Sequence, residues 1–139
     1  MPPEYRDPTK PQEWLRRARS NLARARAGRQ QPEVLYEDLC FDAQQTAQKA
    51  IKALLVHRGV PFPRTHAMAD LLTLVAESGI GVPEKLRDAG VLTDYAVEAR
   101  YPGVYEDVTE EDHAEAVRLA EQVVAWAESL IRPKGEGAG

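Results

Sequence analysis

Apolar residues recur at helical spacing along most of this chain, and no segment sustains the apolar–polar alternation of a strand. Trp14, Leu15, Ala18, Leu22 and Ala25 share one stripe, which predicts a first helix over residues 11–27. Pro11 suits its first turn, where a missing N–H is harmless; Thr9 is placed to cap it and Gly28 to end it. Tyr36, Cys40, Ala43, Ala47, Ala50 and Leu54 repeat at alternating steps of four and three, predicting a second helix over 32–57. A polar line of Asp38, Asp42, Gln45, Lys49 and Lys52 runs beside that stripe. Its acids precede its lysines, the order the helix dipole favours. Gly59 and Pro61 stop the helix, and GVPFPRTH reads as a loop.

A third helix is expected from Thr65, carrying Met68, Leu71, Leu72 and Val75 and ending at Ser78-Gly79. A fourth is expected from Pro83, interrupted at Gly90 and continuing through Leu92, Tyr95 and Val97 to Ala99. There Arg100-Tyr101-Pro102-Gly103 breaks it, because Pro disfavours helical geometry in the residue before it. The fifth starts at Thr109 with three acids behind it, Glu110, Glu111 and Asp112. Val117, Ala120, Val124, Ala127 and Ile131 form its apolar stripe. The expected fold is all-α, an up-and-down bundle of four to five helices in a single domain over 1–139. Its ordered core is expected at 11–132, with flexible tails at 1–8 and 133–139.

A chain of 139 residues buries roughly two-thirds of its unfolded surface, so it needs no disulfide or metal to fold. The lone Cys40 lies on an apolar stripe and reads as core in a reducing compartment. The polar, proline-rich N-terminal stretch and the lack of a long apolar run point to a cytoplasmic protein with no membrane contact. The net charge of −4 hides an asymmetry: residues 1–29 hold eight Lys/Arg against three Asp/Glu, and the remainder ten against nineteen. A basic first helix and an acidic body suit self-association or an acidic partner, although solvated helices account for the same pattern.

Catalytic motifs are scarce. His57, His66 and His113 fall on three different elements, without the spacing of a metal site. No phosphate-binding glycine loop, nucleophile elbow or dinucleotide fingerprint occurs, and no cofactor or metal is expected. Three polar clusters remain. Gln44, Gln45, Gln48, Lys49 and Lys52 read as amides and ammonium groups on exposed sides of the second helix. Arg64 and His66 stand at one helix entrance, and Arg100 and Tyr101 at a helix exit. Together they would form an electropositive patch for phosphates or a partner's carboxylates. In the competing reading Thr65 caps, His66 packs and Arg100 pairs with an acid.

The order of these pieces resembles the HEPN domain family from Trp14 to Ile131. EWLRRARSNLARA, FDAQQTAQKAIKALLVHRG, PRTHAMADLL, ARYP and TEEDHAEAVRLAEQV carry the resemblance. Gln48 departs from it, standing where such proteins often carry a glutamate. The resemblance implies a homodimeric bundle, often encoded beside a minimal nucleotidyltransferase in a toxin–antitoxin-like pair. Many relatives are metal-independent ribonucleases with an Arg, four to six spacer residues, then a His. From Arg100 those His positions hold Tyr105, Glu106 and Asp107, so the motif is absent as written.

Two function classes follow. One is a non-catalytic interaction module that partners a nucleotidyltransferase and binds nucleotide or RNA phosphate through Gln45, Lys49, Lys52, Arg64, His66 and Arg100. The other is a metal-independent ribonuclease with a composite dimer site built on Arg100, Tyr101 and His66.

Overall fold

The computed structural model describes residues 8–64, 67–90 and 107–131. Helix α1 spans Pro11–Ala27. Pro11 opens it as expected, but Lys10 rather than Thr9 holds the cap position, and no side chain closes it. Gly28, at φ 72°, ends it in a conformation that L side chains resist.

Helix α2 spans Tyr36–Arg58 and starts four residues later than the periodicity predicts. Before it the chain makes a turn, in which the Val34 N–H donates to the Gln31 carbonyl at 3.1 Å. The predicted stripe is buried from Cys40 to Leu54, with Tyr36 half-buried at its start. Fourteen α2 residues are buried between Leu39 and Leu55, far more than one face can hold, so this helix is enclosed rather than laid on a surface. Gly59 takes the left-handed conformation at its end, with φ 71°.

Helix α3 spans Met68–Glu77 after Ala67 as its cap residue, and the start expected at Thr65 lies outside the described residues. At Pro83, where a fourth helix is expected, the chain instead makes a 3-10 helix over Glu84–Ala89. The expected continuation to Ala99 lies outside the described residues. Helix α4 spans Glu110–Ile131. Its start is a reciprocal capping box: the Asp112 N–H donates to Thr109 Oγ1 at 3.1 Å, and the Thr109 N–H to Asp112 Oδ2 at 3.0 Å.

α2 is the axis of the fold. It packs against α1, α3 and α4, and α4 also meets α1 and the 3-10 turn. One core runs through all of these elements. Ala18 and Ala25 from α1, Ala43, Ala47 and Ala50 from α2, and Ala116, Ala120 and Ala127 from α4 are all unexposed there. Such small side chains leave little bulk between neighbouring helices, while Ile51, Leu54, Leu55, Leu71 and Val123 fill the remaining volume. The fold is an all-α helical bundle, and the described residues contain no strand. No described helix is long and apolar enough to cross a membrane.

Candidate functional site

The structure divides the predicted polar patch. Gln44, Gln45 and Gln48 are not on an exposed side of α2: they are 0%, 9% and 2% exposed. Because α2 is enclosed, its polar positions also face protein, and an amide tolerates burial when hydrogen-bonded. Gln45 donates from Nε2 to Gln44 Oε1 at 2.7 Å, so its amide is held inside the bundle. Lys49 and Lys52 are half-buried, not exposed. Arg64 is exposed in the loop after α2. His66, Arg100 and Tyr101 lie outside the described residues.

Lys49 and Lys52 sit at the seam between α1 and α2, and helix α1 builds the rest of the cluster. The Lys49 ammonium donates to Asn21 Oδ1 at 2.7 Å, and Asn21 Nδ2 donates to Asp42 Oδ1 at 3.1 Å. Arg24 grips the same Asp42, from Nη2 to Oδ1 at 2.5 Å and from Nε to Oδ2 at 3.3 Å. Of the polar line read from the α2 sequence, Asp42, Lys49 and Lys52 therefore face α1, whereas Asp38 at its start is exposed. Asp42 in turn raises the proton affinity of Arg24.

One turn beyond Lys49, the Lys52 ammonium lies 5.6 Å from the Trp14 ring centroid and 5.6 Å from that of Phe62. The two rings meet edge to face at 6.0 Å, and the Trp14 indole N–H donates to the Pro8 carbonyl at 2.9 Å. Beside them is a cavity of about 310 Å³ lined by Pro8, Glu13, Trp14, Arg17 and Lys49. Glu13 is buried and binds two guanidinium groups, Arg16 Nε at 3.1 Å and Arg17 Nε at 2.5 Å. The Arg16 hydrogen bond, with help from Arg17 and against the effect of burial, holds the Glu13 carboxyl below its usual range.

Both lysines are held below the usual lysine range. Burial is the main cause for Lys49, joined by repulsion from Arg17 and Arg24 and partly offset by Asp42. For Lys52, burial comes first and repulsion from Lys49 second. Among the described residues, this seam thus gathers Arg16, Arg17, Arg24, Lys49 and Lys52 around two carboxylates, Glu13 and Asp42.

The other candidates are occupied elsewhere. His113 places Nε2 2.7 Å from the Ala25 carbonyl, and its ring lies 5.7 Å from that of Tyr36, which Arg29 covers from 5.0 Å. A carbonyl oxygen only accepts, so Nε2 is the donor in this contact. Cys40 is fully buried, and burial, followed by Asp112 and Glu37, pushes its thiol up to about 12, which leaves it unreactive. The described residues hold no group of three or more side chains suited to a metal.

Lys49 and Lys52 were legible as candidates because they interrupt an otherwise apolar and amide-rich helix. Trp14 and Arg17 read only as stripe and scattered charge, since their meeting with Phe62 depends on how the loop after α2 folds back. A family model described as HEPN domain matches residues 11–130. The crystal structure of an archaeal HEPN homologue is similar over 88% of this chain and 98% of its own length, at 28% identity and a TM-score of 0.69. No curated protein is significantly similar in sequence.

Proposed function

This chain belongs to the HEPN domain family, and on that footing we propose that it is a non-catalytic interaction module. It forms a homodimer and partners a minimal nucleotidyltransferase in a toxin–antitoxin-like pair, with a phosphate of nucleotide or RNA held at the cationic seam of α1 and α2. HEPN domains commonly dimerise, which supports the first part.

The observation that carries the non-catalytic reading is the engagement of His113. Metal-independent RNA cleavage needs a base for the 2′-hydroxyl proton and a cation for the phosphorane. Here the one histidine of α4 is tied to the Ala25 carbonyl and packed on Tyr36, while no histidine follows Arg100 at the spacing such enzymes use. Arg100 can supply the cation, but Tyr105, Glu106 and Asp107 stand where the imidazole belongs. Side chains of those types titrate several units from neutrality, which removes much of the roughly 10²–10⁴-fold gain from acid–base catalysis.

The purified protein is expected to cleave no RNA above background, with or without divalent metal. It is expected to co-purify with a nucleotidyltransferase from native extract and to scatter light as twice its 15.5 kDa mass. Cleavage that survives repurification and disappears in both Arg100→Ala and His66→Ala would reassign it as a ribonuclease. A 15.5 kDa particle at micromolar concentration would remove the dimer.

A further inference from the structure

Helix α3 gives one face to the core and turns another outward. Met68, Leu71 and Val75 are unexposed, whereas Ala69, Thr73 and Ala76, spaced four and three residues apart, are exposed. The chain then reverses through Gly79, at φ 96°, and lays the 3-10 turn of Glu84–Ala89 against α3. That reversal is pinned on both sides. Arg58 donates from Nη2 to the Ser78 carbonyl at 2.9 Å, the Ile80 N–H donates to the Val75 carbonyl at 3.4 Å, and Leu86 and Ala89 are sunk in the core. Between α3 and the turn lies a cavity of about 440 Å³. That volume falls within the roughly 300–1,000 Å³ of small-molecule sites. Ala69, Ala76, the nearly buried Leu72 and the half-buried Val82 give it an apolar lining.

Two opposite charges border this lining, Glu77 from the end of α3 and Arg87 from the 3-10 turn. Neither forms an ion pair with the other or with any described residue. Exposed charges elsewhere do find each other, at Arg19–Glu128, Arg26–Glu121 and Arg118–Glu115. Glu77 also stands in the last turn of its helix, where the dipole disfavours an acid and no base of that turn offsets it. The Thr73 hydroxyl spends its hydrogen on the Ala69 carbonyl at 2.9 Å, which leaves its oxygen able to accept at the cavity. A simple anion entering here meets Glu77, and a simple cation meets Arg87. A zwitterion with an apolar body satisfies both charges and the lining together.

We propose that this groove binds a free apolar α-amino acid. Its carboxylate lies on the Arg87 guanidinium, whose planar fork matches two carboxylate oxygens. Its ammonium lies on Glu77 and the Thr73 oxygen, and its side chain covers Leu72 and Val82. The groove is formed by α3 and the 3-10 turn, apart from the α1–α2 seam, so this inference goes beyond the function given above and stands or falls without it.

The test is an amide chemical-shift titration of the full-length protein with leucine, N-acetylleucine, leucinamide and glycine. Leucine is expected to give saturable shifts centred on residues 69–77 and 82–89. N-acetylleucine lacks the ammonium and leucinamide the carboxylate, and each is expected to bind roughly tenfold or more weakly, the range for losing a charged hydrogen bond. Glycine, without the apolar body, should not saturate. Arg87→Gln and Glu77→Gln should each weaken leucine by a similar factor, whereas Lys85→Gln leaves it unchanged. The decisive readout pairs variant with ligand: Arg87→Gln should no longer distinguish leucine from leucinamide, and Glu77→Gln should no longer distinguish leucine from N-acetylleucine. A general loss of fold would not produce that pairing. Absence of saturable shifts, shifts centred elsewhere, or capped ligands binding as well as leucine would each overturn the proposal. So would a Glu77→Gln/Arg87→Gln variant that scatters light as a monomer where wild type is a dimer, because the groove would then be a contact between two copies of the chain.

Discussion

Helix α1 meets two neighbours with the same kind of side chain and reaches opposite results. Toward α4, Arg19 and Arg26 find Glu128 and Glu121, which are 38% and 40% exposed, and the charges cancel in solvent. Toward α2, the acids are buried, Glu13 at 4% and Asp42 at 9%, and the cations outnumber them. An exposed pair is cheap to form and adds little, whereas a buried acid must be fully hydrogen-bonded or it destabilises the fold. Charge on the α4 side therefore decorates the bundle, and charge on the α2 side is part of its construction.

The comparison breaks most violently in α2 itself. Ala47 and Leu54 are both unexposed. Ala47→Asp places an unpaired carboxylate in the core and is expected to abolish folding, read as loss of the cooperative thermal transition. Leu54→Ala should cost about 2–5 kcal/mol in chemical denaturation, through lost burial and the cavity left behind. A transition unchanged by either substitution would show that α2 is not the axis.

The buried seam is probed next by Asp42→Ala, which strands the Asn21 amide and the Arg24 guanidinium and should cost about 1–3 kcal/mol. A change near zero would place Asp42 with the decorative pairs.

Alkaline pH acts on the same seam more gently. Unfolded, each lysine titrates near 10.5, whereas in the bundle Lys49 and Lys52 titrate below that. Between the folded and unfolded values the unfolded chain holds more protons, so this contribution to stability rises with pH across that window and is flat below it. Denaturant midpoints compared at about pH 8 and about pH 10 should therefore gain more in wild type than in a Lys49→Gln/Lys52→Gln double variant. Equal gains would remove these two lysines as the source.

The smallest effect belongs to the α4 side. Glu121→Ala should change stability by about 1 kcal/mol or less, and less still at high salt.

How far the sequence discloses this molecule depends on what each residue's signal encodes. α1 and the start of α4 are readable because Pro11, Gly28, Thr109 and Asp112 act through backbone geometry and local hydrogen bonds, which neighbours in sequence determine. The apolar stripe of α2 is readable for the same kind of reason. Its remaining circumference is not, because polar Gln44, Gln45 and Gln48 look like solvent-facing residues until three other elements are packed around them. The late start of α2 escapes the periodicity because Pro32 suits a first helical turn and an irregular turn equally well. At the site, Lys49 and Lys52 announce themselves, but the Trp14–Phe62 pair and the cavity wall at Arg17 are tertiary facts.

The enclosure of α2 has a consequence for how the molecule breathes. A helix with one solvent-facing side can fray or lift while the rest stays folded, and its amides then exchange with deuterium through small local openings. α2 is buried from Leu39 to Leu55 on more than one side, so its central amides have no such shortcut. They exchange only when α1, α3 and α4 have all let go together. The slowest deuterium uptake in this segment then measures the free energy of global unfolding, and the polar seam along it stays shaped for as long as the whole domain stays folded.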